Sequence, residues 1–214
     1  ISTTYFFLGI IFGSFIIVFH FVNPLLNWQR ILNTNTIPNI ELVKLANIAI
    51  TLIAAGLILQ PILLVYAAHG DTVTGSSIQF LISCAILISV WFVSKFFANG
   101  NLIALALMVT GIPVIIYFAI TIYTFFLKFR NLRPSLGNVM PKASGDLFEL
   151  SSQFFVVQIT AAILYSSIPF IITQLFGPKD VTKFSIVSSL FNFPIILMSV
   201  ITSSGHSLIT QEYA

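Results

Sequence analysis

Long apolar runs are the feature that most constrains this chain. About 20 residues, rising about 1.5 Å each, cross the roughly 30 Å hydrocarbon core of a bilayer. A charged fraction of 7% and a mean hydropathy of +1.04 would leave a soluble domain with a very large exposed apolar surface. The sequence therefore predicts an all-α polytopic membrane helix bundle. Six runs are long enough to span, at 3–24, 45–68, 76–98, 102–127, 148–176 and 184–209.

The least apolar segment, "LKFRNLRPSLGNVMPKASGDLFEL", separates four of these runs from the last two. Its prolines and glycines stop a helix. It holds four cations, namely Lys128, Arg130, Arg133 and Lys142. Because loops rich in Lys and Arg stay on the cytoplasmic side, we expect this loop in the cytoplasm. The predicted organisation is four transmembrane helices in 1–127, a cytoplasmic linker at 128–147, and two transmembrane helices in 148–214.

Two shorter segments predict the opposite membrane face. Trp28 opens the loop after the first run, and a tryptophan there is typical of the membrane-water interface. The passage "QLFGPKDVTKFS" predicts a tight turn between the last two helices. In it Gly177 ends one helix, Pro178 prevents its continuation, and Asp180 is placed to cap the next.

Polar side chains recur along single faces of the predicted helices. On the last helix Ser185, Asn192, Ser199 and His206 follow at intervals of seven residues, which is close to two helical turns. Such stripes either pack helices together through hydrogen bonds or line a hydrated cavity. Stripes that include large amide side chains carry more polar groups than helix packing requires, so we favour a hydrated cavity. The candidate cavity residues are Gln60, Tyr117, Gln158, Tyr165, Asn192, Ser199, Ser203 and His206.

The chemistry of these stripes is neutral. Asp and Glu fall in loops or at helix ends, so the spans offer no carboxylate for a proton, a sodium ion or a metal. Hydroxyls, amides and tyrosines suit a polyhydroxylated ligand such as a sugar chain. No catalytic constellation or phosphate-binding glycine loop appears, and a net charge of +3 spread over loops does not favour nucleic acid. We expect a transporter without a cofactor rather than an enzyme.

Helix breakers and small residues add two further expectations. Prolines inside the predicted spans bend or weaken helices, as in transporters that rock between two states. They are Pro61, Pro113, Pro169 and Pro194. Gly9 and Gly13 form a GxxxG pattern on the first helix, which is typical of close helix packing.

Several segments together resemble the polysaccharide-exporter branch of the MOP flippase superfamily, the Wzx-type O-antigen repeat-unit flippases. "NWQRILNT" is similar to the family's tryptophan-plus-LN segment, and "LLVYAAHGDTVTGSSIQF" occupies the place of its short cytoplasmic turn. "NLRPSL" resembles its central Leu-Arg-Pro stretch. The most specific match is "QFFVVQITAAILYSSIPFIITQLFGPKDVTKFSIVSSLF". One departure is Ser207-Leu208, where the family commonly has a proline-aromatic pair.

The resemblance implies a two-lobe fold of twelve helices, of which this chain covers about the third to the eighth. It implies translocation of an undecaprenyl-pyrophosphate-linked oligosaccharide across the bacterial inner membrane by alternating access, for O-antigen or capsular polysaccharide. Membrane lipids, a polysaccharide polymerase and the chain-length machinery are the further partners it implies. The alternatives are a multidrug or metabolite antiporter of the same superfamily, which requires an acidic residue in a span, and a non-transporting membrane anchor or assembly subunit.

Overall fold

The structure is a computed structural model that describes residues 1–96, 102–135, 137 and 143–212. Side chains are described within these ranges except at 96, 131, 143–151, 153–154, 196–197 and 199–212. The helices are α1 Ser2–Val22, α2 Trp28–Ile31, α3 Asn39–Leu59, α4 Ile62–Ala68, α5 Thr72–Phe96, α6 Leu102–Tyr123, α7 Ala143–Phe176 and α8 Pro178–Glu212. A π-helix, Thr124–Lys128, continues α6, and 3-10 turns occupy Asn23–Leu25 and Arg130–Leu132. The described part of the chain contains no strand.

Within the described residues, five helical segments are long and apolar enough to cross a membrane. They are Ser2–Leu25, Asn39–Ala68, Thr72–Lys95, Leu102–Lys128 and Phe155–Phe176. The chain is thus an all-helical protein with the character of a multi-pass membrane protein. The sixth predicted span is helical within α8, but part of it lies beyond the described side chains, so its crossing of the membrane stays a prediction.

The chain divides into two compact units. Unit 1 comprises Ile1–Trp28 and Ile37–Ser151, and unit 2 comprises Gln29–Thr36 and Ser152–Ala214. The predicted linker at 128–147 lies within unit 1 and is only partly described, so its role as a linker stays a prediction.

Unit 1 is built on α3 and α6, which pack against each other, with α1 on α3 and α5 on α6. Two glycines lie at the α3–α6 contact: a Cβ added at Gly56 would lie 3.6 Å from Val114, and one at Gly111 would lie 3.8 Å from Leu52, so both positions have room for an alanine methyl group. Around Gly9 and Gly13, by contrast, such a Cβ would meet no described atom within 4 Å. The GxxxG pattern of α1 therefore makes no close contact within unit 1.

Large apolar side chains cover the outside of unit 1, as membrane-facing helices require. Phe21, Leu25 and Phe80 are each more than 70% exposed. The buried core is small and lies towards one end of the helices, where α4, α5 and α6 meet. Its members are Ile62, Val65, Tyr66, Ile78, Ile82, Tyr117 and Phe125.

Of the four prolines inside the predicted spans, one interrupts its helix. α6 continues through Pro113, α7 through Pro169 and α8 through Pro194. At Pro61 the second span stops being one helix: α3 ends at Leu59 and α4 begins at Ile62. Gln60 and Pro61 form the turn between these two helices.

Unit 2 contains the turn between α7 and α8. Gly177, with a φ of +88°, ends α7, and α8 begins at Pro178, the helix position that best tolerates a missing N–H. The predicted turn is therefore present. Asp180 lies in the first turn of α8 and forms an ion pair of 2.8 Å with Lys183, so its expected place as the capping residue before the helix was wrong.

Candidate functional site

The described candidate residues of unit 2 are exposed. Gln158 and Tyr165 lie on α7 and Asn192 lies on α8, and Tyr165 is 79% exposed. Their neighbours on both helices are apolar, including Ile163 and Phe191. Each therefore presents a hydrogen-bonding group beside large exposed apolar side chains, and Asn192 shares its face of α8 with the exposed Ser185 and Ser189. For Ser199, Ser203 and His206 the backbone is helical, but their side chains lie outside the described residues.

The two candidates of unit 1 differ from each other. Tyr117 is buried, and its hydroxyl accepts a hydrogen bond of 3.0 Å from Gln79 Nε2 on α5. It belongs to the packed core. Gln60 is exposed at the break between α3 and α4, where it lines an open cleft. Of the two, Gln60 alone offers its side chain to a ligand in this arrangement.

Several hydroxyls on the described spanning helices bond to their own helix. Each donates to the carbonyl oxygen about one turn earlier, a geometry that serine and threonine adopt inside helices. Such a hydroxyl neither joins two helices nor faces a cavity as a free donor. Examples are Ser83 to Gln79 at 3.0 Å, Thr110 to Ala106 at 2.6 Å, Thr160 to Val156 at 2.8 Å, Thr173 to Pro169 at 2.8 Å and Ser189 to Ser185 at 2.8 Å.

A polar cluster joins α4, α5 and the end of α6 at one end of unit 1. The π-helix places Thr124 and Lys128 on the side that meets α4. The hydroxyls of Thr124 and Tyr66 share a buried hydrogen bond of 2.8 Å. Lys128 Nζ lies 2.9 Å from Asp71 Oδ2 and 4.7 Å from the centroid of the Tyr66 ring. Both contacts therefore start from residues of the π-helix, a type of helical turn that frequently lies at functional sites.

The turn before α5 carries the acidic partner of this cluster. Asp71 caps α5, because its Oδ1 accepts a hydrogen bond of 3.1 Å from the Thr74 backbone N–H. Hydrogen bonds with Thr74 and with Lys128 lower the pKa of Asp71 to about 2. Next to it the His69 ring packs on Phe129 with centroids 4.4 Å apart. Both carboxylate oxygens of Asp71 thus have partners, Oδ1 in the helix cap and Oδ2 in the ion pair. The described residues hold no group of three or more His, Cys, Asp or Glu suited to a metal.

A second polar cluster closes the other end of unit 1. Asn23 is fully buried, and its Nδ2 donates to the Val43 carbonyl at 2.8 Å. Its Oδ1 accepts a hydrogen bond of 2.6 Å from Trp28 Nε1, while the Trp28 backbone N–H donates to Asn39 Oδ1 at 2.8 Å. Trp28 is therefore hydrogen-bonded to the 3-10 turn that follows α1 and to α3. Its interpretation as an interface residue did not include this role.

The two clusters show which helix ends lie on the same side of unit 1. Ser2, Asp71, Lys128 and Ser135 lie at one end, since the Ser135 backbone N–H donates to Ser2 Oγ at 3.1 Å and Asp71 pairs with Lys128. Asn23 and Asn39 lie at the other end. This is the alternation expected when successive helices cross a membrane in opposite directions.

Sequence reasoning missed both clusters. Asn23 directly precedes a proline and Asp71 follows a glycine, so each reads as an ordinary loop residue. The available signal was the N-cap pattern at Asp71, with Thr74 three residues later. No signal within the Asp71 segment identifies its distant partners, because the pairs of that cluster lie 57 residues apart for Asp71–Lys128 and 58 for Tyr66–Thr124.

Comparison with known proteins does not identify a family for this chain, so a functional assignment has to start from the geometry described above. No protein-family model, no curated protein and no solved structure matches the chain.

Proposed function

We propose that this chain is part of a flippase that moves a lipid-linked oligosaccharide, carried on undecaprenyl pyrophosphate, across the bacterial inner membrane by alternating access. The observation that carries the proposal is the exposure of Gln158, Tyr165 and Asn192 on apolar helices. The resemblance of four sequence segments to Wzx-type flippases supports it independently.

The physical argument begins with the cost of an amide in hydrocarbon. A polar side chain without a hydrogen-bond partner is costly there, so an exposed amide on a spanning helix has to face protein, water or a ligand. Both hydrogens and the oxygen of each amide are available for sugar hydroxyls. A neutral set of amides and a tyrosine discriminates by hydrogen-bond geometry rather than by charge, which suits an uncharged saccharide.

The proposed orientation places the cluster of Asp71 and Lys128 on the cytoplasmic side. The adjoining segment 128–142 holds the densest group of cations in the chain, and such segments are retained in the cytoplasm. Trp28 and Gly177 then lie at the periplasmic side. In the proposed twelve-helix fold, residues 1–127 belong to one lobe and 148–214 begin the other.

The decisive experiment is deletion of the gene followed by analysis of surface polysaccharide. Loss of polymer, with the lipid-linked repeat unit accumulating on the cytoplasmic face, is the expected result. Restoration from a plasmid excludes effects on neighbouring genes. An unchanged amount of surface polymer in the deletion strain would contradict the proposed function.

Single substitutions then test whether the exposed groups contact the saccharide. Gln158→Leu and Asn192→Leu are expected to lower export about fivefold each, because each loses hydrogen bonds worth about 1 kcal/mol to the substrate. Thr160→Val and Ser189→Ala are the matched controls, since both hydroxyls bond to their own helix. Equal protein amounts in the membrane are confirmed by immunoblot. Full export in both leucine variants would return these residues to a packing role.

The same deletion strain distinguishes the flippase from a multidrug or metabolite antiporter. An ion-coupled antiporter needs an acidic residue within a span, and the described spans carry only Glu41, in the first turn of α3. If the deletion strain keeps its polymer but becomes sensitive to a cationic drug, the antiporter replaces the flippase.

A further inference from the structure

The break in the second span frees a backbone acceptor. Pro61 has no N–H, so it cannot donate to the Leu57 carbonyl one turn earlier. Regular hydrogen bonding stops where the Gln60 N–H donates to the Gly56 carbonyl at 2.8 Å, and it resumes where the Leu63 N–H donates to the Gln60 carbonyl at 3.0 Å. The break therefore leaves the Leu57 carbonyl without its helical donor.

The same break forms a cleft on the surface of unit 1. Its volume is about 310 Å³, and it is lined by Leu57, Gln60, Pro61, Leu63 and Leu64. The Gln60 side chain is exposed, and Leu64 is 67% exposed. Gln60 lies eight residues from Ala68, the end of the span, which is about 12 Å at about 1.5 Å per residue. The cleft thus lies at hydrocarbon depth.

Two residues that line the cleft carry polar groups of opposite kind. The exposed Gln60 amide supplies N–H donors, and Leu57 carries the carbonyl that Pro61 leaves without its helical donor. A hydroxyl is suited to both kinds of group, because it accepts from an amide and donates to a carbonyl. A charged ligand gains nothing here, since none of the five lining residues carries a charge. The leucines and proline offer an apolar surface to the C–H face of a sugar ring.

We propose that the Gln60–Pro61 break is a hydroxyl-binding subsite for the saccharide of the transported lipid. This inference rests on the proposed function and names a contact within it. The helix break is the device that creates the subsite, because an unbroken helix would use the Leu57 carbonyl internally. In membranes, interrupted helices offer such backbone groups where the chain faces a ligand or water.

A photo-crosslink reports the occupant directly. A benzophenone amino acid replaces Gln60 in the full-length protein, in inverted membrane vesicles that contain radiolabelled lipid-linked oligosaccharide. The expected product is protein bearing labelled saccharide, and the same probe at the exposed Leu87 of α5 gives none. Adducts at position 60 with phospholipid alone, or with another part of the protein, would overturn the subsite.

Two substitutions test the break itself. Pro61→Ala restores the donor to Leu57, and Gln60→Leu removes the amide; each is expected to lower export about fivefold at equal protein level. Gln60→Asn, which keeps an amide, recovers part of the loss. Pro113→Ala is the control, because α6 continues through that proline, and it leaves export within about twofold.

These outcomes separate the two proposals. If gene deletion leaves the polymer unchanged, the flippase assignment fails whatever occurs at the break. If deletion abolishes polymer while Pro61→Ala and Gln60→Leu export normally and no saccharide crosslinks at position 60, the subsite alone is wrong.

Discussion

The hydrogen bond between Asn23 and Trp28 allows a quantitative test of the fold. Asn23→Ala removes the acceptor 2.6 Å from Trp28 Nε1 and the donor 2.8 Å from the Val43 carbonyl. The Val43 carbonyl lies within α3 and keeps its own helical donor, so the larger cost falls on the indole N–H. An unsatisfied buried donor costs about 1–3 kcal/mol, and the cavity left by the side chain adds about 1 kcal/mol. We expect a total loss of about 2–4 kcal/mol.

A double-mutant cycle isolates the shared bond. Trp28→Phe removes the indole N–H and leaves the Asn23 amide oxygen without its donor. Because either substitution already breaks the bond, the double variant is expected to lose about 1–2 kcal/mol less than the two single losses together. Trp91→Phe is the control, since Trp91 is 59% exposed on α5 and its loss should add to that of Asn23→Ala.

The measurement is the free energy of unfolding of the full-length protein in detergent micelles. Titration with sodium dodecyl sulfate, followed by circular dichroism, gives this free energy for each of the variants. Additivity of Asn23→Ala and Trp28→Phe within about 0.5 kcal/mol would refute the assigned bond. It would leave Trp28 with the interface role predicted from its position in the sequence.

Three further predictions test other parts of the structure. Because the pKa of Asp71 is lowered to about 2, its charged form stabilises the fold above the unfolded pKa of about 3.9, and this contribution is lost as the pH falls towards 2; Asp71→Asn should flatten that acid-dependent drop in melting temperature, and an unaltered drop would contradict the assignment. Tyr66→Phe and Thr124→Val should be coupled by about 1 kcal/mol in unfolding titrations, since they share one buried bond; simple additivity would exclude it. Gly177→Ala should destabilise by about 1–2 kcal/mol because of its φ of +88°, whereas Gly13→Ala inside α1 should not lower the melting temperature.

The membrane-spanning segments could be predicted from the sequence because apolar length is a local property. The run 102–127 corresponds to Leu102–Lys128, and 3–24 to Ser2–Leu25. The second span begins six residues before the predicted position 45, at Asn39. Polar residues such as Glu41 and Lys44 masked its first turns, although a helix end near the membrane surface tolerates them.

The contacts of individual polar residues could not be predicted in the same way. Helical periodicity gives the direction in which Tyr117 and Gln60 point relative to their own helix, but it says nothing of what lies opposite. Tyr117 meets Gln79 and is buried, while Gln60 meets a cleft. The π-helix is equally hidden in the sequence, and its residue Thr124 bonds to Tyr66 in a segment 58 residues away.

Several polar residues of the described spans fall into two classes by what occupies their hydrogen-bonding groups. Asn23 and Tyr66 bond to distant parts of unit 1, and serines such as Ser83 bond to their own helix. For these residues hydrophobic replacement removes stability or changes little, and transport chemistry need not involve them. Gln60, like Gln158, Tyr165 and Asn192, is exposed instead, so in a membrane each requires a partner from outside its own helix. We propose a ligand as that partner, and the neutral set of amides and a phenol is the observation that favours a saccharide over a charged ligand.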